Sequence, residues 1–268
     1  MKLHIVPART GLEWVRLGLR VFWRQPMALS ALFFTTMAAM SLVTVLPLVG
    51  PAVALALLPS ATLAMMVAAA QASQGRMPTP ALLLVAFRTG RQRLRAMLAL
   101  GAFYAAGFLL VMGVSALVDG GQFAQVYLGG QPLTRELAES GDFQVAMWLS
   151  LLLYVPLSLL FWHAPGLVHW HNVPPVKALF FSIVACLRNL GAFTVYGLAW
   201  VGVFLGAGIA TSLVVSLLAL AGLGAGAAGG VMVATALMLA AMFFTSVVFT
   251  FRDCFEAPEA PQSESPAA

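Results

Sequence analysis

The chain alternates between long runs without a formal charge and short segments in which the charges gather. Six runs, about 27–49, 52–70, 96–118, 143–163, 190–218 and 231–251, contain no Asp, Glu, Lys or Arg. Roughly 20 apolar residues in a helix cross the ~30 Å hydrocarbon core of a bilayer. Backbone N–H and C=O groups find no water there, and a helix satisfies them within one segment. The pattern predicts an all-α fold, a polytopic transmembrane helical bundle of six spans, with 1–255 a single integral membrane domain. Residues 256–268 hold three Glu, three Pro and two Ser. They cannot bury apolar surface and are expected to form a disordered acidic tail.

Two pairs of spans are barely separated, so each needs a turn. As one helix, 27–70 would run about 66 Å, twice the hydrocarbon thickness. Pro47, Gly50 and Pro51 predict a turn in its middle, because Pro removes a donor and clashes with the preceding turn. Between spans five and six, 222–230 holds five glycines, whose chain entropy predicts a break across that segment.

Thirteen of the fourteen Lys and Arg residues fall on one side of these spans; the other side holds only Arg135, among Asp119, Glu136, Glu139 and Asp142. This one-sided bias predicts both termini in the cytoplasm of a bacterial inner (plasma) membrane, with 119–142 the one sizeable outer loop. The basic start and long first run exceed a cleavable signal, so this segment is expected to remain as an anchor. Just before span one, Thr10 and Glu13 have capping-box spacing. Arg16, Arg20 and Arg24 then form a stripe opposite Trp14, Val15, Leu17, Val21 and Phe22, the pattern of an amphipathic interfacial helix on the cytoplasmic side. Similar basic segments precede span three (80–95, with Arg88, Arg91 and Arg95) and span five (175–189, with Lys177 and Arg188). Leu-Gly-Ala-Phe occurs at both 100–103 and 190–193. Three units, each an interfacial helix plus two spans, are expected. These eight basic residues are the candidates for lipid-headgroup contact.

Only 9% of residues are charged and 61% are hydrophobic. The net charge of +5, placed beside membrane spans, points to anionic lipids and not to nucleic acid. His163, His169 and His171 gather near the end of span four, with Cys186 and Cys254 on the same side. No carboxylate lies near them in sequence to orient an imidazole, and His with Trp suits an interface, so no metal site and no cofactor are expected. The two cysteines are expected to be free thiols. No nucleophile or phosphate-loop motif occurs and no span carries an Asp, Glu, Lys or Arg, which argues against an enzyme. Gly202 and Gly206 form a Gly-x-x-x-Gly face, expected to pack against another helix, with a partner inside the chain preferred. Pro59 and Pro156 can kink spans two and four around a cavity.

A further set of residues resembles an uncharacterised family of bacterial six-span inner-membrane proteins with no assigned activity. It comprises Pro7-Ala8-Arg9, Gly11, Trp14, Arg24-Gln25-Pro26, Ala164 to Val168, and His171 to Ser182 with Cys186, Arg188 and Asn189. The resemblance spans about 7–255 and implies a six-helix membrane protein without supplying a catalytic residue. The preferred function is a non-enzymatic membrane component whose cytoplasmic face binds membrane lipids or a protein partner. The alternative is a carrier or subunit transporting an apolar or amphipathic solute, and an embedded lipid enzyme comes last. A polar cavity reaching the midplane favours the carrier, and a dry bundle the first reading.

Overall fold

A computed structural model describes residues 2–88, 90–222 and 224–255; the tail expected over 256–268 lies outside them. Eleven α-helices and one 3₁₀ helix are present among the described residues. The six spans are α2 (Pro26–Thr44), α3 (Gly50–Ser73), α4 (Arg91–Asp119), α7 (Gly141–Phe161), α10 (Leu190–Leu220) and α11 (Ala225–Cys254). Before them comes α1 (Thr10–Arg24). The short α5 (Gln122–Gly129) and α6 (Arg135–Glu139) fill the loop after α4, and α8 (Ala164–His171) and α9 (Pro175–Arg188) the segment after α7. The 3₁₀ helix covers Pro80–Phe87.

Local chemistry sets the boundaries. Pro26 and Pro51 sit in first turns, where a missing N–H costs nothing. Ser140 caps α7 by accepting from the Phe143 N–H, and Asp119 accepts from the N–H groups of Gly121 and Phe123 to turn α4 into α5. The break expected across 222–230 is shorter than the glycines suggested. Gly226, Gly229 and Gly230 lie inside α11, because helical hydrogen bonding in an apolar environment outweighs the helix cost of glycine. The capping box does not form: Thr10 is already the first helical residue and no side chain caps α1. The helix opens instead through backbone turns from Pro7 and Ala8.

The order short helix, span, span recurs three times, and the short elements exchange partners in a cycle. Each packs on the second span of another unit: α1 on α11, the 3₁₀ helix on α3, and α9 on α7. The second unit departs from expectation, since its short helix is 3₁₀ and Arg91 and Arg95 belong to the first turns of α4 itself. The two Leu-Gly-Ala-Phe fragments are not equivalent, one lying well inside α4 and the other opening α10.

Helix α1 is amphipathic, with Arg16, Arg20 and Arg24 exposed as expected and its apolar face packed against α10 and α11. Trp14 and Phe22 are fully buried. A Cβ on Gly11 would meet the backbone of Ala192 and Tyr196 on α10, and one on Gly18 would meet Ser246 on α11. Glycine seven residues apart on one face is what lets α1 dock on both helices, with Trp14 donating from Nε1 to Asp253 Oδ2 at 2.9 Å. The extended start of the chain is held at the same end. His4 N–H donates to the Cys254 carbonyl at 2.9 Å, and buried Asn189 accepts from Val6 N–H at 2.8 Å and donates to the His4 carbonyl at 3.1 Å.

Candidate functional site

The spans do not close into a ring. α3 packs on α4, α4 on α7 and α11 on α3, but α7 packs along neither α10 nor α11. The two sides meet at the end that carries the Arg-rich segments, where Trp162 donates from Nε1 to Thr250 Oγ1 at 3.0 Å. There Trp162 sets its ring edge-on to Phe193, Tyr196 and Phe243. Above this floor the open seam leads into a cavity of about 490 Å³, bounded by α3, α4, α7 and α11. A second lobe of about 260 Å³ continues it toward α5 and shares Phe108, Tyr127 and Tyr154 with the first. From Met147 to Trp162 the lining of the α7 side extends about 22 Å along the helix.

No formally charged side chain lines either lobe. The polar groups are mostly hydroxyls: Thr62 on α3, Tyr104 on α4, Tyr127 on α5, and Ser150, Tyr154 and Ser158 on α7. Three of the four tyrosines of the chain are therefore gathered in one cleft. Tyr104 and Tyr154 place their hydroxyls 3.2 Å apart, and Tyr104 meets Phe161 edge-on at 5.0 Å. Ser150 Oγ is buried without a hydrogen-bond partner among the described residues. Ser158 differs, donating to the Val155 carbonyl one turn back. Of the two prolines that sequence linked to a cavity, Pro59 lies in the wall of this one, whereas Pro156 is exposed on α7 and lines neither lobe.

The other candidates disperse. Arg88 ends the 3₁₀ helix, Lys177 and Arg188 stand at opposite ends of α9, and all three are exposed. Arg91 and Arg95 do come together, in a groove shared with Asn172 and the Pro174–Pro175 corner. Gly202 and Gly206 have no neighbour within 4 Å of an added Cβ, so the expected packing inside the chain does not occur. The reason is that α10 beyond Trp200 is half-buried along the stripe Val203, Ala207, Thr211 and Val215, and both glycines lie off that stripe.

The histidine segment also differs from the interfacial loop expected. His169 and His171 lie on α8, while His163 is fully buried. Its N–H donates to Ser182 Oγ at 2.9 Å, Nε2 lies 3.2 Å from Thr250 Oγ1, and Nδ1 lies 3.8 Å from Cys186 Sγ. Among the described residues no three His, Cys, Asp or Glu side chains gather where they could hold a metal ion. Cys186 and Cys254 are buried and free, and burial, with Cys254 nearby, pushes the Cys186 thiol well above its ordinary value. Asn189 is the residue of this cluster that composition and spacing did not single out; it entered only through the family resemblance.

The chain is 39% identical over 268 residues to a protein of Burkholderia thailandensis named as a probable inner membrane protein, covering 98% of this chain and 97% of that one. The chain belongs to that family of inner-membrane proteins. No family model matches it, and no solved structure does. With its six apolar helices it is a multi-pass protein of the inner membrane.

Proposed function

We propose that this protein is a non-enzymatic component of the inner membrane that binds a lipid-soluble molecule in the cleft between α7 and α11. The observation that carries the reading is the uncharged, tyrosine-lined cavity whose open side is a seam between spans. Its volume falls in the range of small-molecule sites, and its mix of rings with a few hydroxyls suits an amphipathic guest. A bound molecule reaches such a site from the bilayer without crossing an aqueous face. Transport of that molecule is the extension of this reading that the cleft's reach of about 22 Å supports.

The test is to fill the cleft. Ser158→Trp replaces a small wall residue on α7 with a large ring, next to Tyr154 and Phe161. Protein extracted in native lipid patches is expected to carry a specific lipid-soluble molecule, identified by mass spectrometry, that is depleted at least tenfold in this variant. Equal content in both proteins, with both folded, would remove the cleft as its binding place.

The same reading places both termini and the exposed stripe of Arg16, Arg20 and Arg24 in the cytoplasm, against anionic headgroups. Its support is the thirteen-to-one distribution of basic residues. In a background lacking Cys186 and Cys254, a membrane-impermeant thiol reagent added to intact cells is expected to modify a cysteine at Gln131 and to spare one at Gln74. Labelling of Gln74 alone would reverse the orientation.

A further inference from the structure

The chemistry of the cleft defines the polar end of its guest. We infer that the guest is a neutral lipid whose head is a hydrogen-bond-accepting oxygen, such as the ring carbonyl of a quinone or the ester carbonyl of a diacylglycerol. This rests on the cleft being a binding site. A charged headgroup inside it would lose its hydration and meet no counter-charge, because no Asp, Glu, Lys, Arg or His lines either lobe.

The two phenols say which neutral group fits. Tyr104 and Tyr154 hold two oxygens and two hydroxyl hydrogens, and their mutual bond at 3.2 Å uses one hydrogen. The phenol that accepts keeps its own O–H, and no other hydrogen bond to either hydroxyl is formed among the described residues. Accepting one bond polarises that remaining O–H and makes it a better donor. Tyr104 is only 7% exposed whereas Tyr154 is 37% exposed, so the pair joins the cleft wall to the open seam. An acceptor on the guest completes the chain of bonds. The rings of Phe108, Phe161 and Trp162 supply flat faces for a ring or an unsaturated chain.

The experiment measures quenching of intrinsic tryptophan fluorescence by a decyl-substituted benzoquinone, with the full chain in lipid nanodiscs. Trp148 and Trp162 line the two lobes and report contact. Saturable quenching is expected, displaced by dioleoylglycerol but by neither squalene, which has no oxygen, nor additional phosphatidylglycerol. Tyr104→Phe and Tyr154→Phe each leave one O–H and are expected to bind nearly as the parent does. The double variant leaves none and is expected to bind about fivefold more weakly, the scale of one lost hydrogen bond. Displacement by squalene equal to that by dioleoylglycerol, or parental affinity in a folded double variant, would overturn the inference while leaving the cleft a binding site. Absence of saturable binding by every probe would overturn both. Should the double variant fail to fold, the competition series alone decides.

Discussion

Gly18→Leu is expected to detach α1 from the bundle and to lower stability by about 3 kcal/mol or more, while Gly206→Leu leaves it unchanged. The contrast follows from what each glycine faces. At Gly18 the added side chain would occupy the space of Ser246, whose hydroxyl bonds Tyr196 at 2.6 Å, so the clash cannot be relieved by turning one flexible group. Overpacking a close helix contact typically costs 1–3 kcal/mol, and the backbone positions involved here place this case at the upper end. At Gly206 nothing lies within 4 Å, and a leucine there adds apolar surface on an apolar helix. Thermal unfolding in lipid nanodiscs checks both. A destabilising Gly206→Leu would mean that this face is covered by another chain.

The second large effect concerns Asn189. Asn189→Leu is expected to release the start of the chain and to cost about 3 kcal/mol. Its amide accepts from Val6 N–H and donates to the carbonyls of His4 and Ala185. Leucine fills the volume but leaves the Val6 N–H and the His4 carbonyl short of a partner at a part-buried place, at about 1–3 kcal/mol for each group left unsatisfied, while the Ala185 carbonyl keeps the Asn189 N–H. Asn189→Asp keeps the bond from Val6 but sets a buried carboxylate oxygen against the carbonyls of His4 and Ala185, so a loss at least as large is expected. Limited proteolysis provides the second readout. The variant should be cut within residues 2–8 under conditions in which the parent is not, and an equally resistant variant would deny the side chain its fastening role.

These two residues mark what the sequence could and could not convey. The six spans were legible because bilayer thickness and the absence of water act on length and charge, which are local properties. Helix ends followed from Pro26, Pro51 and the basic flanks for the same reason. Packing partners were not legible, since many faces of so apolar a chain look alike. Gly202 and Gly206 match a packing pattern yet face nothing, whereas Gly11 and Gly18, on the Trp14 face at heptad spacing, make the close approaches. The hydrophobic face of α1 could be read, but its use against α10 and α11 depended on helices about 180 to 230 residues away. The cleft was hinted at only by Pro59, since Pro156 lines neither lobe. Tyr104, Tyr127 and Tyr154 lie on three different elements, and only the fold brings them together.

On the proposal made above, the seam between α7 and α11 admits a lipid-soluble guest to the tyrosine pair. A density map of the protein in native lipid patches, obtained by cryo-electron microscopy, tests it most directly. Elongated non-protein density is expected inside the cleft, entering between α7 and α11 and ending within hydrogen-bond distance of the Tyr104 and Tyr154 hydroxyls. A map in which α7 closes onto α11 and leaves no room for a guest beside those hydroxyls would contradict it.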